Sequence, residues 1–210
     1  MNWSLLLTLG TLAFALALQP WRLLAGGRLL APLLAALVIT PWLWALPWLW
    51  PMPMALRLSG ACLITLSLGW PLAVPVLCTV GLATALIAPV DFSQQLDTTL
   101  WLGLVPATLA LLLGLAQRRW LPHHVFIYIL GRGFAGTLAC LMATTVLSHW
   151  LGEGPLANGT EPELAWVARW LMAWGDAVLT GMLTAICVAF RPQWLATWSD
   201  PIYIAPPQSP

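Results

Sequence analysis

The sequence predicts an all-α polytopic membrane protein: a single bundle of six to seven transmembrane helices, N-terminus outside and C-terminus cytoplasmic. Three observations predict it. Of 210 residues, 60% are hydrophobic and 7% charged, with mean hydropathy +0.87, whereas about a quarter of a soluble domain's residues are charged. Apolar runs follow one another from end to end, and the one long polar gap, near 152–163, leaves no room for a separate soluble domain. Tryptophans gather toward the ends of those runs, Trp21, Trp50, Trp101, Trp120, Trp150 and Trp166 among them, as interfacial anchors do. The lipid bilayer is the partner this composition requires. A net charge of +1, with arginine as every basic residue, offers no basic surface to phosphates and excludes nucleic acid.

The elements follow in order. Residues 3–18 read as a retained first helix, because no basic residue precedes the run and Arg22 and Arg28 follow it, the reverse of a secretory signal. The second helix, 29–50, meets Pro41 and Pro47 and stops at Pro51, so its outer half is expected to be kinked or unwound. Residues 54–90 are too many for one span, and charge decides how they divide. A break at Gly69-Trp70-Pro71 puts Arg22, Arg28, Arg118, Arg119 and Arg191 on one side of the membrane. The other side then holds Arg57 with the acidic residues Asp91, Asp97, Glu153, Glu161 and Glu163, the arrangement the positive-inside bias prefers. The fifth helix covers 98–117 and the sixth 122–150; the last follows the outer loop and ends at Arg191-Pro192. The bundle is expected to fill 1–192, and 193–210 to form a cytoplasmic tail on the inner surface.

The last helix carries an acid at membrane depth. Asp176, Thr180 and Thr184 fall four apart on one line, beside the small residues Ala177, Gly181 and Ala185. An intramembrane acid is expensive and marks either a hydrogen-bonded brace or a substrate path. The sixth helix carries a similar row, Gly131, Ala135 and Ala139, so the two helices are expected to pack together by their small faces. Counted at about 1.5 Å per residue from the cytoplasmic ends, Arg132 lies roughly 14 Å deep and Asp176 roughly 21 Å, within an arginine's reach. An Arg132–Asp176 ion pair is therefore expected.

No nucleotide, dinucleotide, esterase or metalloprotease motif is present, so the chain is not expected to be an enzyme, and no cofactor is required. Four cysteines without CxxC spacing read as packing residues. The groups able to meet a cation from outside are Met1, Met52, Met54, Asp91 and His149; the soft donors among them suit a late transition metal as cargo.

Gly175-Asp176-Ala-Val-Leu-Thr180-Gly181 followed by Ala189-Phe-Arg191-Pro192 resembles the Gly-Glu-Ala-x-x-Thr-Gly and terminal Arg-Pro pattern of CbiM-type permeases. These are the substrate-capture components of energy-coupling factor cobalt and nickel importers. Leu58-Ser-Gly60-Ala through Gly69-Trp70-Pro71 resembles that family's block ending in Gly-Pro-Trp, and Asp91 stands at its Asp-Gly-Gly turn. The resemblance implies a bacterial inner-membrane permease component taking up a transition-metal cation. It also implies a separate coupling transmembrane protein and cytoplasmic ATPases as partners. The family holds its metal through the amino terminus and a histidine at the second position, with another histidine just before the first block. Here those positions are Asn2 and about Arg57, so the metal site does not carry over. The alternative is a noncatalytic membrane scaffold or assembly factor in which Arg132 and Asp176 are structural.

Overall fold

A computed structural model describes residues 3–50, 57–88, 90–122, 124–151, 162–198 and 203. The described residues form helices and no strand: α1 Trp3–Ala17, α2 Leu30–Leu49, α3 Ala61–Leu68, α4 Trp70–Ile87, α5 Phe92–Trp120, α6 Ile127–Trp150 and α7 Pro162–Phe190. Five of them, α2, α4, α5, α6 and α7, are long and apolar enough to cross a membrane. Their outward surface is what lipid requires: Leu86 is 90% exposed, and Val38, Leu112, Phe126 and Phe190 also stand free of the bundle, an apolar exterior no monomeric soluble protein carries. The chain is a polytopic helical membrane protein.

The bundle has two recognisable ends. At one, which we call the N-terminal end, Ser4 donates a hydrogen bond to Asp97 at 2.7 Å and Trp3 meets Trp101 edge-on at 6.1 Å, so α1 and α5 begin together. At the opposite end, Phe14 near the close of α1 packs on Trp70 at the start of α4, 5.8 Å between rings. α4 is the most enclosed of the five, walled by α1, α2 and α3, and the largest core cluster gathers on it: Trp44, Leu68, Leu77, Val80 and Leu104.

Short α3 is the irregular element. Only its last part of the passage is helical; residues 57–60 enter the bundle without regular structure. Gly60 starts the helix at φ 64° and Gly69 ends it at φ 77°, ψ 153°, backbone regions in which a Cβ is strained. The chain then reverses into α4, with Pro71 in the first helical turn where its missing N–H costs nothing. Helix α2, in contrast, is not unwound: it stays helical past Pro41 and Pro47 to Leu49.

Hydroxyls inside the bundle mostly bond back to their own helix. Thr84 donates to the carbonyl of Val80, Thr99 to Gln95, Thr137 to Gly133 and Thr144 to Cys140, all at 2.7–2.8 Å. A threonine in hydrocarbon satisfies its proton in this way without any tertiary partner.

Helices α6 and α7 do pack against each other, but the face of α6 needs correction. Ala135 and Ala139 are exposed, and Gly131 lies beside Ile127 and Gln117. The contact is made instead by Gly133, whose notional Cβ would stand 3.4 Å from the Gly181 Cα, and by Phe134 against Gly181. The physical reason is a π-helical stretch, residues Ile127–Ala135. Each wide turn adds a residue, so spacing by four no longer marks one face there. On α7, Ala177 and Gly181 are buried and Ala185 half-buried.

A methyl at Gly181 would sit 3.1 Å from Phe134 Cβ. Overpacking of this kind costs about 1–3 kcal/mol, against a gain of up to about 1 kcal/mol in helix propensity. Gly181→Ala is therefore expected to lose about 1 kcal/mol net in chaotrope unfolding of the detergent-solubilised protein; a gain would show that the two helices separate freely.

The segment after α7 packs on the bundle as far as Trp198. After a short 3₁₀ turn, Pro192–Trp194, the N–H groups of Ala196 and Thr197 bond to the carbonyls of Ser67 and Leu66 at the end of α3, at 2.8 and 3.4 Å. These satisfy orphan carbonyls that any helix C-terminus leaves open. Thr197 Oγ1 also meets the Tyr128 hydroxyl at 2.7 Å, and Tyr128, Leu195 and Trp198 form a small buried cluster.

Candidate functional site

Asp176 is 5% exposed on α7 and faces the N-terminus of α3. Its Oδ2 accepts the backbone N–H of Ser59 at 2.9 Å and of Gly60 at 3.1 Å. Ser59 completes the start of the helix from the other side: its Oγ accepts the Ala61 N–H at 3.2 Å and donates to the Leu102 carbonyl at 2.5 Å. A half-length helix buried in a bundle has unsatisfied donors and a partial positive charge at its beginning. A carboxylate from a neighbouring helix meets both needs, in the way broken membrane helices meet anionic groups.

The pairing of Asp176 with Arg132 is therefore corrected. Arg132 lies toward the opposite end, its guanidinium 5.9 Å over the Tyr128 ring and directly against Gly114, where any side chain would collide with it. It lines a cavity of about 20 Å³ with Gln117, Arg118 and Tyr203. Two reasons separate the partners: the π-helical stretch turns Arg132 toward α5, and the Asp176 oxygen is already engaged by α3. Thr180 and Thr184 are buried on the same line as Asp176, and neither hydroxyl has a hydrogen-bond partner among the described residues.

Toward the N-terminal end, Asp176 lines a partly open cleft of about 80 Å³ between α5, α6 and α7. Its walls bring together residues distant in sequence: Arg57 and Ser59 before α3, Trp101 on α5, Ser148 on α6 and Arg169 on α7. Arg57 is 8% exposed. Its Nη1 donates to Thr98 Oγ1 at 3.2 Å, its guanidinium lies 4.9 Å over the Trp48 ring, and its Nε is buried without a hydrogen bond. Arg169 reaches Ser148 Oγ at 3.4 Å. Neither arginine has an ion-pair partner among the described residues. The indole N–H of Trp101, 4% exposed, also has no acceptor among the described residues. The cleft thus holds more donors than acceptors and, with Asp176 ionised, one surplus positive charge. A volume of this size admits several waters or a small solute.

Of the five groups expected to hold a metal, Asp91 and His149 are among the described residues. Asp91 is exposed just ahead of α5, and His149, also exposed, stands edge-on to Trp166 at 5.2 Å. Met1, Met52 and Met54 lie outside the described residues. No group of three or more His, Cys, Asp or Glu side chains able to hold a metal ion occurs among the described residues, and Cys62, Cys78, Cys140 and Cys187 are free thiols.

Arg169 and Trp101 did not emerge as site residues from the sequence, and Arg57 entered only as a charge. For Arg169 a signal existed: it precedes Asp176 by seven residues, two helical turns on the same face. Comparison with protein-family models, with curated proteins and with solved structures found no match.

Proposed function

We propose that this multi-pass membrane protein captures a small solute in the cleft at its N-terminal end. It would act as the substrate-binding permease component of a transporter in a bacterial inner membrane, with that end facing outward. The observation that carries the reading is Arg57: a guanidinium buried in the cleft wall, with no carboxylate partner among the described residues and an Nε that has no hydrogen bond there. A charge held this way inside a bundle is costly unless a guest completes it. The chain has no nucleotide motif, so energised uptake would require a coupling membrane protein and cytoplasmic ATPases of the energy-coupling factor kind. A transition-metal cargo remains the expectation of the family resemblance; the surplus positive charge of the cleft argues for another. The scaffold reading draws support from Asp176, whose bonds to α3 are those of a brace.

Cysteine accessibility tests the proposal. Thr145 lines the cleft. With Cys62, Cys78, Cys140 and Cys187 replaced by alanine, Thr145→Cys is expected to react with a membrane-impermeant maleimide added outside intact spheroplasts. Reaction only after the inner face is opened, or none at all, removes the capture reading and leaves the scaffold.

A further inference from the structure

Resting on the capture reading, we infer that the cleft binds a small organic monocarboxylate, its charged end between Arg57 and Arg169 and its apolar body against Trp101, Leu141 and Met172. Charge sets the sign and the number. Two guanidiniums and one carboxylate border the cleft; with Asp176 ionised, the form its two backbone N–H bonds favour, one negative charge from the guest brings it to neutrality. A cation would instead add to an existing surplus in a site where water screens poorly. A dianion would leave a charge uncompensated.

Donor chemistry selects the oxygen pair. Arg57 Nε and Trp101 Nε1 are buried N–H groups lacking acceptors, and Arg169 spends only Nη1, in a long bond to Ser148. Guanidinium forks match the two oxygens of a carboxylate. Asp176 makes no ion pair with either arginine among the described residues; its bonds go to the Ser59 and Gly60 N–H groups. The apolar side chains fix the rest: Leu141 on α6 and Met172 on α7 border the same space and favour a short hydrocarbon over a hydrated inorganic ion.

The test is thermal unfolding and calorimetric titration of the purified full-length protein with butyrate, butylammonium and nickel chloride in parallel. Butyrate is expected to raise Tm with concentration, and butylammonium and nickel are not. Arg57→Lys keeps the charge and loses the fork; it is expected to weaken butyrate binding by about 10-fold or more. Trp101→Phe removes the indole N–H together with part of the ring and is expected to weaken it about 5-fold or more. Stabilisation by nickel or butylammonium without butyrate overturns the ligand class and leaves the capture reading standing. A protein unaffected by all three overturns the carboxylate, and the capture reading falls with it only if Thr145→Cys is also unreactive from outside. Butyrate binding unchanged in both variants places the anion elsewhere and overturns the inference.

Discussion

Replacing Asp176 with alanine is expected to destabilise the protein by about 3–6 kcal/mol, from two hydrogen bonds to a charged acceptor at about 1.5–3 kcal/mol each. Both bonds end on one oxygen, so the variant strands the Ser59 and Gly60 N–H groups together, inside the bundle and at the start of a helix. Lipid offers neither of them a replacement acceptor. Asp176→Asn separates the acceptor from the charge. Its single amide oxygen can take both N–H groups, so it should lose only the interaction of a full charge with the helix terminus, about 1 kcal/mol. Chaotrope unfolding in detergent, followed by tryptophan fluorescence, reads the difference directly. Equal losses in the two variants would mean that charge, not hydrogen bonding, holds α3. A loss below about 1 kcal/mol for the alanine variant would show that α3 is held by its packing alone.

That Asp176 faces protein was legible in the sequence, but not what it faces. Spacing by four put Asp176, Thr180 and Thr184 on one line, and an acid in an apolar helix has to point inward. Its partner is a pair of backbone amides, which carry no residue-type signature, whereas Arg132, on a helix expected to pack against that of Asp176, does. The break at Gly69 was legible for the opposite reason: a glycine, a proline and the distribution of arginines all point to it, and the backbone at Gly69 takes the positive φ that glycine allows. On α6 the row of small residues misled because a π-helical stretch interrupts it, and nothing in the row of alanines announces an added residue. Arg57 could not be placed from spacing at all. It precedes α3 in a stretch without periodicity, and only the fold brings it against Trp48 and Thr98.

Replacing Arg57 with methionine is expected to do the reverse of the Asp176 change: to raise the stability of the unliganded protein by about 2 kcal/mol, since exchanging a buried charge for an apolar side chain of similar length gains about 1–4 kcal/mol. The gain is set by what Arg57 has in its present surroundings. Against the cost of burying a guanidinium stand one hydrogen bond of 3.2 Å to Thr98 and the face of Trp48. A neutral partner and a ring contribute about 1 kcal/mol each, less than the several kcal/mol that desolvating the ion takes away. Methionine fills the same space against Trp48 and leaves no unbonded Nε. The same variant is expected to show no rise in Tm with butyrate, so one substitution separates stability from binding: the apo protein gains, the response to ligand disappears. A side chain whose removal strengthens the fold is kept for something other than the fold. A structural role predicts the opposite sign, and a loss of about 1 kcal/mol or more in Arg57→Met would make Arg57 a brace between α2 and α5 and leave the cleft without its main claim to a guest.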